Sequence, residues 1–165
     1  IQLDGYSHLF RGILTKLTPT EHGTKKRFHT LVLEFNCYEY EAQADGSQFS
    51  GSASGSTDLI INNQGNLATP ATVLITPQIG LASLKLSGIV RDPNTGKDLP
   101  VTMKNLTTGK TITIDGETGL MTEDGQLKSG DIETYGLPSL IPGTNTITLN
   151  SQHVDITVKY YPRYM

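Results

Sequence analysis

The sequence predicts an all-β protein built as an antiparallel sandwich or jelly roll, and three observations predict it. Glycine is abundant (17 of 165 residues) and tryptophan is absent. Serine and threonine recur throughout, while long stretches of helix-forming Ala, Leu, Glu and Lys are missing. Apolar residues alternate with polar ones over short runs, and Gly, Pro and Asp turns separate those runs at regular intervals.

The first half opens with a strand expected over residues 6–16 and a loop over 19–24. A stronger strand is expected over 28–41. There Leu31, Leu33, Phe35 and Cys37 share one face by the two-residue period, and that face is expected to anchor the sheet. The opposite face mixes Phe28, Val32, Tyr38 and Tyr40 with polar side chains. Such a face fits either an assembly contact or a strand covered on both sides within its own domain. Residues 45–56 read Asp-Gly-Ser-Gln-Phe-Ser-Gly-Ser-Ala-Ser-Gly-Ser, the composition of a flexible linker.

Short strands follow. Residues 71–76 lie between Pro70 and Pro77. Residues 81–90 place Leu84 and Leu86 inward. Asp92-Pro-Asn-Thr-Gly96 has strong turn chemistry. Residues 99–106 pair back, and Ile112 and Ile114 share one face of the next strand. Asp124-Gly125 marks a two-residue hairpin. Residues 144–150 point Ile147 and Leu149 inward, and residues 153–160 do the same with Val154, Ile156, Val158 and Tyr160.

Charge and composition restrict the function classes. The net charge is −3 with 18% charged residues and no block of like charge, which gives no footprint for nucleic acid. No run of about 20 apolar residues is present, so no membrane insertion is expected. Cys37 is the only cysteine, so no intrachain disulfide can form, in keeping with folding in a reducing cytoplasm. The chain starts at Ile1 rather than Met, as a piece of a longer protein would.

No reaction centre can be assembled from the residues. Gly109-Lys110-Thr111 echoes a phosphate loop, but position 104 is lysine where the motif needs glycine, and a strand follows in place of a helix. Gly51-Ser-Ala-Ser-Gly55 puts Ala53 where a nucleophile elbow needs serine. His8, His22, His29 and His153 are scattered without zinc-ligand spacing. Asp115, Glu117, Glu123 and Asp124 crowd one hairpin region and could offer oxygen to Ca²⁺, but turn chemistry alone accounts for them. Glu39 and Glu41 share a strand face without the opposing partner that glycoside hydrolysis needs. No metal, cofactor or catalytic residue is therefore expected. Tyr135, Tyr161 and Tyr164 are the candidate binding residues, because tyrosine offers an apolar face for sugars or protein and a hydroxyl for polar recognition.

Two stretches resemble a known family. One runs Asn62-Asn-Gln-Gly-Asn-Leu-Ala-Thr-Pro70 into Ala-Thr-Val-Leu-Ile-Thr-Pro77. The other comprises Ile114-Asp115, Pro138-Ser-Leu140, Pro142-Gly143-Thr-Asn145-Thr-Ile147 and the ending Tyr160-Tyr-Pro162-Arg163-Tyr164. Both are similar to the C-terminal domain of the distal tail proteins of long-tailed bacteriophages. Leu33-Glu-Phe-Asn-Cys-Tyr38 looks like the last strand of that family's N-terminal ring domain, which is longer than residues 1–43.

The resemblance implies a division into three parts. Residues 1–43 would be the C-terminal strands of the ring (belt) domain, a hairpin remnant of a ring-forming unit. Residues 44–56 would be a Gly/Ser linker, and residues 57–165 a galectin-like sandwich. It further implies a non-enzymatic virion protein at the tail tip, assembled in the bacterial cytoplasm. Six copies would form a hub between the tail tube protein and the tail-associated hydrolase or spike, and the sandwich would carry receptor-binding proteins. The rival reading is a carbohydrate-binding module that recognises cell-surface glycans through Tyr135 and Tyr161. A hydrolase domain is the weakest of the three.

Overall fold

The computed structural model describes residues 9–22, 28–40 and 49–165. Every strand pairing in it is antiparallel, in three sheets. Strands β1 (Leu9–His22) and β2 (Phe28–Tyr40) form a long ribbon. Then come β3 (Phe49–Ser54), β4 (Asp58–Asn63), β5 (Thr69–Pro77), β6 (Leu81–Arg91), β7 (Asp98–Leu106), β8 (Ile112–Asp115), β9 (Met121–Glu123) and β10 (Gln126–Leu127). A short 3₁₀ turn (Ser129–Asp131) precedes β11 (Ile132–Glu133), β12 (Ser139–Leu140), β13 (Gly143–Leu149), β14 (Val154–Tyr160) and β15 (Arg163–Tyr164).

The sandwich has one sheet ordered β10-β9-β8-β5-β14-β3, with β12 also on β5, and one ordered β11-β7-β6-β13-β4. Its core follows from alternation. On β5, Ala71, Val73 and Ile75 point in; on β14, Val154, Ile156, Val158 and Tyr160 do. Leu84, Leu86, Met103, Ile147 and Leu149 meet them from the other sheet. These are the inward positions the sequence predicts for β6, β13 and β14. Removing so much aliphatic surface from water is the main force holding the two layers together.

Turn chemistry closes the layers. Asp124 and Gly125 both adopt positive φ (47° and 80°), the geometry of a type I′ hairpin turn between β9 and β10. Asp92 accepts hydrogen bonds from the Asn94 amide (2.9 Å) and the Thr95 hydroxyl (2.7 Å), which lower its pKa. Gly88 sits at φ 89° where β6 breaks register between Leu86 and Val90. A Cβ there would lie 2.0 Å from the Thr146 carbonyl oxygen, so only glycine fits this bulge.

Three expectations need correction. Residues 49–54, expected within the Gly/Ser linker over 44–56, form β3 and pair along β14 from Phe49↔Tyr160 to Ser54↔Asp155. Phe49, Gly51 and Ala53 take the half-buried positions of that strand. Gly51 is required there because a Cβ would come within 2.9 Å of Ile61. The loop expected over 19–24 is strand as far as His22. Pro19 lies in β1, an edge strand, the kind of strand in which proline is found. The rest of that loop, and His8, lie outside the described residues. The third correction concerns the ribbon, whose Leu31, Leu33 and Phe35 anchor no core: all are exposed.

Candidate functional site: an uncovered apolar ribbon stitched to the sandwich

Residues directly opposite in an antiparallel pair share a face. In the ribbon, Leu17 faces Leu33, Pro19 faces Leu31 and Leu14 faces Phe35. One side of the ribbon is therefore a continuous apolar surface of Leu14, Leu17, Pro19, Leu31, Leu33 and Phe35. All of these are solvent-exposed. The other side pairs Thr18 with Val32, Lys16 with Glu34 and Ile13 with Asn36. It is mixed, as the sequence suggests. Val32 is 47% exposed, and Lys16 Nζ lies 3.0 Å from Glu34 Oε1. Phe28, Tyr38 and Tyr40 occupy β2, but their side chains lie outside the described residues. Among the described residues no second layer covers the apolar face, and a large uncovered aliphatic surface is of the kind found where proteins meet partners.

The C-terminal tail fixes the ribbon to the sandwich. In β15, Arg163 pairs with Tyr40 and Tyr164 with Glu39 on β2. On its other side Arg163 bridges to Leu67, whose amide donates to the Arg163 carbonyl (3.1 Å). Asn66 grips Met165 twice, accepting from its amide (2.9 Å) and donating to its carbonyl (3.2 Å). Gly65 is needed here, since a Cβ would meet the Arg163 backbone at 2.5 Å. Buried Asn63 sets this loop: its Oδ1 accepts from the Gly65 amide (3.1 Å), and its amide group reaches the Leu67 and Ile141 carbonyls. Glu117, in the β8–β9 turn, faces both Arg11 (2.5 Å) and Arg163 (3.6 Å). The Arg11 pair is solvent-exposed and worth at most about 1 kcal/mol, while the Arg163 side chain is largely covered.

The four carboxylates Asp115, Glu117, Glu123 and Asp124 have separate duties. Asp115 caps its own turn, accepting from the Glu117 amide (2.8 Å) and the Thr118 hydroxyl (2.6 Å). Partial burial pulls the Asp115 pKa up, but the hydrogen bonds from Thr118 and Glu117 outweigh it and hold the pKa below the ordinary value. Glu117 pairs with Arg11, Glu123 with Lys128 (3.2 Å), and Asp124 accepts from the Thr111 amide (2.8 Å). Among the described residues no group of three or more metal-ligating side chains comes together.

The candidate tyrosines fall into two places. Tyr135 follows β11 at the edge of the five-stranded sheet and is 83% exposed. Tyr161 and Tyr164 are partly buried in the C-terminal tail, where the Tyr161 carbonyl accepts from Thr69 Oγ1 (2.5 Å). Tyr160 is core, with its hydroxyl donating to the Asn62 carbonyl (3.2 Å) and its ring tilted on Phe49.

Comparison with known proteins fits this architecture. No curated protein sequence matches the chain. Among solved structures, the fold is similar to the SPP1 Dit (gp 19.1) protein, described as a paradigm of the hub adsorption apparatus in phages infecting Gram-positive bacteria. The TM-score is 0.68 at 13% identity, over 98% of this chain and 62% of that one. The chain thus spans less than two thirds of that protein's length. The profile of the siphovirus-type tail component, C-terminal domain, matches residues 64–164. That match covers most of the sandwich and the tail that clamps the ribbon, and by it the chain belongs to the SPP1 Dit family of siphovirus-type tail components, structural proteins of the phage tail.

Proposed function

We propose that this protein is a subunit of the tail-tip hub and assembles with copies of itself through the β1–β2 ribbon. The observation that carries this is the apolar face of Leu14, Leu17, Leu31, Leu33 and Phe35, which stays exposed among the described residues. Residues 1–43 then supply the assembly part, and the sandwich, beginning at β3, supplies a rigid platform. The apolar face packs on hub polypeptide, and the mixed face, with Val32 and the β2 positions Phe28, Tyr38 and Tyr40, meets a neighbouring subunit. Contacts between unlike patches close into a ring, six copies in this reading.

The hub joins the tail tube protein above to the tail-associated hydrolase or spike below, and the sandwich loops present receptor-binding proteins. Subunits assemble in the bacterial cytoplasm before the virion is released. The chain acts by geometry and performs no catalysis.

Light scattering of the wild-type protein and of Val32→Glu and Leu33→Glu tests this. The expected result is a hexamer-sized wild-type species, lower mass in both variants, and an unchanged sandwich melting temperature. A wild-type monomer at every concentration, or unchanged mass in both variants, would overturn it.

A further inference from the structure

We propose that Glu117 is an electrostatic latch that fixes the angle of the β1–β2 ribbon to the sandwich, and that the ribbon pivots on the tail when the latch opens. This goes beyond the hub reading and does not depend on it.

The pivot is built from backbone. β15 pairs with the last residues of β2, Arg163 with Tyr40 and Tyr164 with Glu39. Two residues, Tyr161 and Pro162, separate β15 from β14, which runs between β5 and β3 in the sandwich. Thr69 Oγ1 donates to the Tyr161 carbonyl (2.5 Å) and Pro162 is buried, so the tail is seated on the sandwich before it reaches the ribbon. Strands paired along one edge can still turn about that line, because the twist between neighbours ranges over roughly 25° without loss of pairing.

Fixing the angle takes a second attachment off that line, and Glu117 supplies it. In the order β1-β2-β15, β1 lies on the far side of β2 from the pivot. Arg11 on β1 sits opposite Tyr38, and Arg163 opposite Tyr40, so both arginines share one face of this sheet. Glu117 Oε1 reaches across β2 to both, at 2.5 Å from Arg11 and 3.6 Å from Arg163. Its turn is a firm post. The Gly116 amide donates to the Ala71 carbonyl (3.0 Å), and a Cβ on Gly116 would lie 2.1 Å from the Pro138 carbonyl oxygen.

Charge makes the latch reversible. One carboxylate serves two guanidinium groups, and without it two cations share that face. The Arg11 contact is open to solvent, so salt screens it. The ribbon then acts as a lever. The eleven residues from Arg11 to His22 span about 36 Å, so a tilt of about 10° at the base carries the tip about 6 Å.

Pulsed EPR distances test this, with one spin label at the ribbon tip and one on the sandwich. Thr20→Cys and Lys97→Cys are exposed positions for them, in a Cys37→Ser background. Dilution with unlabelled protein restricts the reading to distances within one chain. A single narrow distribution is expected with the latch intact. Glu117→Gln and Arg11→Gln should each broaden it by about 6 Å, the reach of that tilt. About 1 M salt, where the screening length falls to roughly 3 Å, should broaden the unsubstituted protein too. Neither variant removes core surface, and an unchanged melt of the sandwich checks this. Repeating the series with Val32→Glu, which tests the hub reading, separates the latch from contacts between copies, so the two proposals fail independently. A width unchanged by either variant in both backgrounds, or one already broad with Glu117 and Arg11 in place, overturns the latch.

Discussion

Asp115 shows how one side chain can tie stability to pH. Its carboxylate organises the β8–β9 turn, and its pKa is held below the ordinary carboxylate value. A carboxyl whose pKa is lower folded than unfolded contributes stability above the unfolded value, and that contribution is lost as pH falls through the folded value. Asp115→Asn should therefore lower the melting temperature by a few degrees at pH 7, and the gap to wild type should close below about pH 4. A gap that stays constant with pH would show that the carboxylate's charge is not what the turn uses. This role was partly visible in the sequence, because Asp115-Gly-Glu-Thr-Gly119 has turn composition. What the sequence could not show is that Glu117, in the same turn, reaches Arg11 and Arg163 from two other parts of the chain.

Strands whose alternation matched their burial were legible, and those that broke the pattern were not. On β14 every second residue is a large aliphatic or Tyr160, and all of them are buried. β3 was missed because its inward positions beyond Phe49 are Gly51 and Ala53, which carry little hydrophobic signal. The two-residue period of Phe, Gly and Ala was the clue available. β3 should accordingly be the weakest large piece of its sheet. Ala53→Asp is expected to speed amide exchange across residues 49–54 while the β5–β14 pairs remain protected. Equal acceleration in both would mean that β3 and the central strands open as one unit. The ribbon failed differently. Its alternation is strong, and period-two patterning shows which residues share a face without showing what covers that face.

The whole molecule is a sandwich and a ribbon joined by the tail. The tail's own pattern, Tyr-Pro-Arg-Tyr, gives no sign in sequence that it pairs with β2 and locks against Asn66, because that depends on contacts with residues far back in the chain. Deleting residues 163–165 removes those pairings but none of the buried aliphatic core. The expected outcome is a sandwich of nearly unchanged melting temperature with a ribbon cut readily by protease. If the ribbon stays resistant, Arg11 with Glu117 and the rest of the ribbon's attachment suffice without the tail.

The position of β14 has a consequence for synthesis. It lies between β5 and β3, pairing with both, although it follows every other strand of that sheet in the chain. A nascent chain on the ribosome can make the β6–β7 hairpin early, but the larger sheet keeps a gap between β5 and the edge strand β3 until residue 160 has left the exit tunnel. Closing that gap joins segments about 80 to 110 residues apart, which is the kind of pairing that slows folding. The sandwich should therefore close only after β14 has emerged, which would keep chains lacking that strand out of the growing tail.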